Sequence, residues 1–257
     1  MKLYRPLSLF IAATALFLCT LSVYSQQDPA SVNQLDSKGR KQGFWSKRNP
    51  EGQLLYQGQF RDDQPFGEFK YYYPDGKLRS TLKYSEDGKT AFSVSFHPNA
   101  MKMAEGMYND KQKDGKWIYY NDAGEHASEE YYSKGVPIGT WKVFTEDKKV
   151  IEEYSYINGM KDGPWKQYFS DGNIKLDASY SSGMLQGPAV YYFPGGNVMS
   201  KGVYDNGLKD GKWTNYKENG SIESVFEYFK GEIVKETYLD KAKEKEMQEA
   251  EPELKTN

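Results

Sequence analysis

The sequence has one cysteine, Cys19, two histidines, and no excess of charge of either sign. Its 34 Lys and Arg face 36 Asp and Glu, for a formal net charge of −2. One thiol excludes an intrachain disulfide and a cysteine-based zinc site. Balanced charge without a long basic run excludes a nucleic-acid footprint. His97 and His126 stand far apart in sequence and form no pair at metal-ligand spacing. No Gly-x-Ser-x-Gly nucleophile elbow and no glycine-rich phosphate loop occurs. The reading is therefore a non-enzyme, with no catalytic set, no metal and no cofactor. Apolar residues reach only 38% and mean hydropathy is −0.83, too little Leu, Ile and Val for a thick core. What the chain does have is rings and glycines: 16% aromatic, with 22 Tyr, and 24 Gly. Such a chain folds as something thin, in which rings do most of the burying.

Residues 1–25 read as a secretory leader. Lys2 and Arg5 form its positive end, Leu7 to Leu21 its apolar core, and Val23-Tyr24-Ser25 its cleavage site. The apolar run is short for a membrane span, and an uncleaved anchor is the alternative. The expected location is secreted or periplasmic, in a bacterial cell envelope, with a linker at 26–34 before the folded part.

A 24-residue period organises the chain beyond the linker. From the anchor Gly43, the glycine column runs Gly43, Gly67, Ala91, Gly115, Gly139, Gly163, Gly187, Gly211. Two residues on stand Trp45, Phe69, Ser93, Trp117, Trp141, Trp165, Ala189, Trp213. Seventeen past the anchor stand Phe60, Tyr84, Tyr108, Tyr132, Tyr156, Tyr180, Tyr204, Tyr228. All eight of these last are aromatic, against 16% overall, and no insertion breaks the register. Between the columns lie β-prone stretches and turn signals such as Asn49-Pro50-Glu51-Gly52 and Phe193-Pro194-Gly195-Gly196. Each unit reads as a hairpin. The whole, 35–238, reads as an all-β, elongated and twisted antiparallel meander of about eight hairpins. Pro164 and Pro188 are expected at strand starts.

The unit at Ala91 lacks Gly, Trp and the turn glycine. It is either a bend or a tolerated lapse, and the lapse is the simpler reading. Leu35 to Gly39 reads as an N-terminal cap. Residues 239–257 read as a short charged helix capping the open edge, with a tail after Pro252. Asp114-Gly115, Asp162-Gly163 and Asp210-Gly211 are expected to be tight turns rather than a cation ladder, with Lys113, Lys161 and Lys209 offsetting the charge.

Gly-x-Trp-x-x-Tyr-x-x-x-Asp-Gly followed by an Asn-Gly or Lys-Gly turn resembles the MORN-variant repeat of bacterial proteins. The clearest instances are Gly163-Pro164-Trp165 to Gly183 and Gly211-Lys212-Trp213 to Gly231. The resemblance implies an elongated antiparallel sheet. Many members carry a YwqK-type antitoxin name, which implies neutralising a protein toxin; the leader sits awkwardly with that role.

A single-layer sheet has two faces, and the residues five past each anchor face away from the Trp column. Tyr72, Phe96, Tyr120, Phe144, Tyr168, Tyr192 and Tyr216 are thus the candidate binding surface. The repeat frame is Trp45, Phe69, Trp117, Trp141, Trp165 and Trp213 with the seven anchor glycines. The bland alternative is that these rings only pair across strands to stabilise a thin sheet. The expected function is a scaffold binding a protein partner. Antitoxin action and binding of an envelope glycan or lipid are the alternatives. Neither the partner nor the oligomeric state is legible.

Overall fold

The computed structural model describes residues 32–239. The leader and the expected helix beyond Leu239 lie outside the described residues. Within them every strand pairs antiparallel with its neighbour in sequence. Eight hairpins follow one another. They are Lys41–Arg48 with Leu54–Arg61, Gln64–Tyr72 with Leu78–Tyr84, Thr90–Phe96 with Lys102–Asn109, and Gln112–Tyr120 with His126–Ser133. The fifth pairs Gly139–Phe144 with Val150–Ile157, its lead-in Val136–Pro137 pairing back onto His126–Ser133, and the sixth pairs Met160–Tyr168 with Ile174–Ser181. The seventh pairs Gly187–Tyr192 with Val198–Asp205, its lead-in Met184–Leu185 pairing back onto Ile174–Ser181, and the eighth pairs Leu208–Tyr216 with Ile222–Phe229. A short strand, Gln34–Leu35, adds to the first hairpin, and Glu232–Tyr238 adds to the last. No pairing joins these two ends, so the sheet is open and forms the expected meander.

Two kinds of turn alternate along it. Inside hairpins the Asn49 N–H donates to the Gln53 carbonyl and the Gly52 N–H to the Asn49 carbonyl, with Gly52 at φ 83°. This is a three-residue loop whose last residue must be left-handed. The geometry is imposed even where glycine is missing, since Ala100 and Lys148 hold φ 69° and 62°. Between hairpins two successive residues take positive φ, as in Asn158-Gly159 and Lys230-Gly231, the type I′ signature. The junction into the third hairpin departs from this: Ser85 to Thr90 makes a wider turn with only Gly88 left-handed.

The anchor glycines are bulge residues. Gly115 lies inside Gln112–Tyr120 at φ 74°, and the pairing with the preceding strand slips between Gly106 and Met107. The Asp-Gly steps are therefore not turns, which corrects the sequence expectation. Asp114, Asp162 and Asp210 instead accept the backbone N–H of Lys134, Ser182 and Lys230, the first residues of the following type I′ turns. Pro164 also stands within its strand rather than at its start, next to the bulge at Gly163, the one interior place where a missing N–H is tolerated.

The bulge explains the Trp two residues later. In the fourth, fifth and eighth hairpins the indole N–H donates to a carbonyl of the preceding strand beside the slip. Trp117 reaches Met107 (3.0 Å), Trp141 reaches Tyr131 (3.2 Å), and Trp213 reaches Val203 (3.1 Å). Glycine opens the ladder and tryptophan closes it. At Ala91 there is no positive φ, and Ser80–Tyr84 pairs with Ala91–Ser95 without a slip. At this unit the glycine and the ring are lost together.

Candidate functional site

The core is a ladder of rings on one face. Each ring two past an anchor is gripped by rings seventeen past an anchor. Phe69 meets Phe60 and Tyr84 edge-on at 5.1 and 5.2 Å, and Trp213 meets Tyr204 and Tyr228 at 5.1 and 6.3 Å. Such pairs add about 0.5–1.5 kcal/mol beyond their burial. Phe69, Trp117 and Trp213 are 2, 3 and 1% exposed, whereas Trp45, Trp141 and Trp165 are half-buried. The difference lies in the preceding hairpin. Gly58, Gly106 and Gly202 sit directly beneath the three buried rings, where a Cβ would stand 2.3–2.4 Å from ring carbons. Trp165 lies opposite Tyr154, and Trp141 follows Glu130 at the same place, so neither can seat as deeply. Sequence reasoning missed this second glycine column, although its signal was present: Gly58, Gly106 and Gly202 share a place in the period.

Lysines two before the anchors lie over these rings. Lys113 is 5.0 Å from the Trp117 centroid and 4.8 Å from that of Tyr132; Lys209 is 4.2 Å from that of Trp213; Lys161 is 4.0 Å from that of Tyr154. They make cation–π contacts rather than offsetting the aspartates, a second correction. Burial pushes the pKa of Lys113 and Lys209 down.

The seven candidate rings lie on the opposite face, each half-buried. They tie into the sheet without touching one another directly. Tyr120 donates to Glu105 (2.5 Å) and Tyr168 to Glu153 (2.6 Å). Burial first, and these carboxylates second, push both phenols up to about 12. Lys102 and Lys201 lie over Tyr120 and Tyr216. His126 bridges Tyr120 and Phe144, stacking on Phe144 at 4.5 Å. Among the described residues no group of His, Cys, Asp and Glu is placed to hold a metal ion.

The feature sequence reasoning passed over is at the third hairpin. Its strand Thr90–Phe96 inverts the polarity of the others: Phe92, Val94 and Phe96 face the Tyr72 side, and Ala91, Ser93 and Ser95 face the ring ladder. The ladder is interrupted there by a groove of about 670 Å³. Tyr71 and Tyr84 wall it on one side, Tyr108 and Trp117 on the other, and Ser80, Ser93 and Ser95 lie between. The seventh hairpin also lacks its ring, at Ala189, but there the neighbouring cross-strand pair is Leu176 with Tyr191, and Ala189 is wholly buried in the cluster they form. At the third hairpin the equivalent pair is Ser80 with Ser95, and the space stays open.

These features define a single-layer β-hairpin repeat protein with ring-lined faces. The family model described as MORN repeat variant matches residues 67–86, 137–158, 161–182, 185–206 and 209–230, and the chain carries MORN-variant repeats. No curated protein matches the sequence. A crystal structure of TcdB2-TccC3-Cdc42 matches at 10% identity over 74% of this chain and 12% of its own, with a TM-score of 0.19; at that score the likeness has no bearing on fold or function.

Proposed function

We propose that the protein is a non-catalytic repeat scaffold that binds a protein partner through its sheet surface, in the cell envelope or outside the cell. The observation that carries the reading is the row Tyr72, Phe96, Tyr120, Phe144, Tyr168, Tyr192 and Tyr216. These half-buried rings recur every 24 residues on one face of a sheet that no second layer covers among the described residues. Rigid, amphipathic rings held by hydrogen-bonded carboxylates and lysines offer contact area at little entropic cost, as protein interfaces use them. Capture from envelope fractions by the wild-type chain, compared with a variant carrying Tyr72→Ala, Tyr120→Ala, Tyr168→Ala and Tyr216→Ala, tests it. A partner retained by the first and lost by the second is expected. Equal behaviour of the two folded chains counts against the proposal.

A further inference from the structure

The groove at the third hairpin is the place of one missing rung, and the rest of the protein shows what a rung looks like. At Phe69, Trp141 and Trp213 a ring two past the anchor lies between two flanking rings. Here those flanking rings are present, as Tyr84 and Tyr108, but the ring itself is Ser93. In three other units a lysine two before the anchor covers the ring: Lys41 over Trp45, Lys113 over Trp117 and Lys209 over Trp213. Here that residue is Lys89, which lines the groove and covers no ring. Ser93 is 4% exposed, and neither its hydroxyl nor that of Ser80 makes a hydrogen bond among the described residues. Ser95 donates to the Ala104 carbonyl at 3.3 Å.

The rim is basic. Arg79, Lys89 and Lys111 line the groove with the single acid Asp110. No salt bridge joins any of the three cations to a carboxylate among the described residues, although Lys89 helps to hold the Asp87 carboxyl low after its hydrogen bonds with Ser85 and the Lys89 N–H. Arg79 is held over the Tyr71 ring at 5.9 Å, which fixes its charge at the groove wall.

We propose that this slot receives an indole or phenol side chain of a partner protein, presented on an acidic segment. The flanking rings and Lys89 recognise the ring as they do the chain's own Trp elsewhere. The unpartnered serine hydroxyls favour a ring with a polar N–H or O–H over Phe or Leu, which would leave them unsatisfied in a desolvated site. Arg79, Lys89 and Lys111 favour carboxylates beside it. The inference rests on the reading that the protein binds a protein, but it uses the opposite face.

Titration calorimetry on the full chain tests it, with a short blocked peptide carrying one Trp between glutamates. Counterparts replace the Trp by Ala or the glutamates by lysines. Each counterpart is expected to bind at least about tenfold more weakly. Ser93→Trp supplies the missing ring from within and is expected to abolish binding while far-ultraviolet dichroism stays unchanged. Leu82 lies opposite Ser93 where deep-seated rings have glycine, so this variant can fail to fold. The pair Arg79→Gln and Lys111→Gln then decides, with affinity and its salt dependence both expected to fall. Equal binding of the Ala peptide, or undiminished binding by folded Ser93→Trp, overturns the proposal. So does a neutral oligosaccharide that competes for the slot while the Trp peptide does not bind. Peptide failure alongside partner loss in the Tyr-face variant sinks the slot and leaves the scaffold reading standing; the converse sinks the Tyr face and leaves the slot.

Discussion

Gly106→Ala should destabilise the array, although an alanine in a strand ordinarily does the reverse. Gly106 lies outside the left-handed region, so alanine can adopt its backbone, and the loss of unfolded-state freedom alone would stabilise by about 0.4–1 kcal/mol. The packing term opposes this and is larger. An added Cβ would stand 2.4 Å from Trp117 Cδ2, where ordinary contact begins near 3.4 Å, so the ring must retreat by the difference, 1.0 Å. It has little room, with Tyr108 edge-on at 4.9 Å and its own N–H tied to the Met107 carbonyl at 3.0 Å. Overpacking of this kind costs about 1–3 kcal/mol, and straining the indole hydrogen bond adds about 1 kcal/mol. The net loss is about 2 kcal/mol. Urea unfolding monitored by tryptophan fluorescence measures it, and hydrogen exchange should place the loss in the third and fourth hairpins, because a repeat array transmits stability only between neighbours. Removing the ring as well, in Gly106→Ala with Trp117→Ala, should make the glycine substitution harmless. If Gly106→Ala proves as stable as the parent or more so, the seating of the ring over the glycine is wrong.

Three other outcomes are expected. Ala100→Gly and Lys148→Gly relieve left-handed backbone at φ 69° and 62° and should each raise stability by about 1 kcal/mol in the same unfolding assay. Asp162→Ala leaves the Ser182 N–H without its carboxylate partner, held at 3.0 Å, and should cost about 0.5–1.5 kcal/mol, whereas added calcium should shift neither chain's melting temperature. At high pH, Tyr120, Tyr154 and Tyr168 have folded pKa values of about 12 against an ordinary 10, chiefly because burial disfavours the phenolate. The folded state therefore binds more protons than the unfolded one in that window. Stability is full below pH 10 and falls as pH rises towards 12, so phenolate absorbance should rise together with loss of strand dichroism; titration of these phenols at pH 10 with the fold intact would refute the assignment.

The period of 24 and the turn chemistry were enough to define the eight hairpins and the meander, because strand alternation and left-handed turn residues are local properties written in consecutive positions. The division of the sheet into a Trp face and a Tyr face was legible for the same reason. Only the tertiary structure decided what depends on neighbouring hairpins. The Asp-Gly steps became bulges rather than turns, because the slip is defined by the strand alongside. Lys113 and Lys209 went to rings rather than to aspartates, because the ladder brings the rings above them. The weak unit at Ala91 became a groove, while the equally ringless Ala189 became core. Cross-strand partners settled that difference, Ser80 with Ser95 in one case and Leu176 with Tyr191 in the other. Residues that lie fifteen apart in sequence share one rung in space, and whether a missing ring is filled depends on the whole rung.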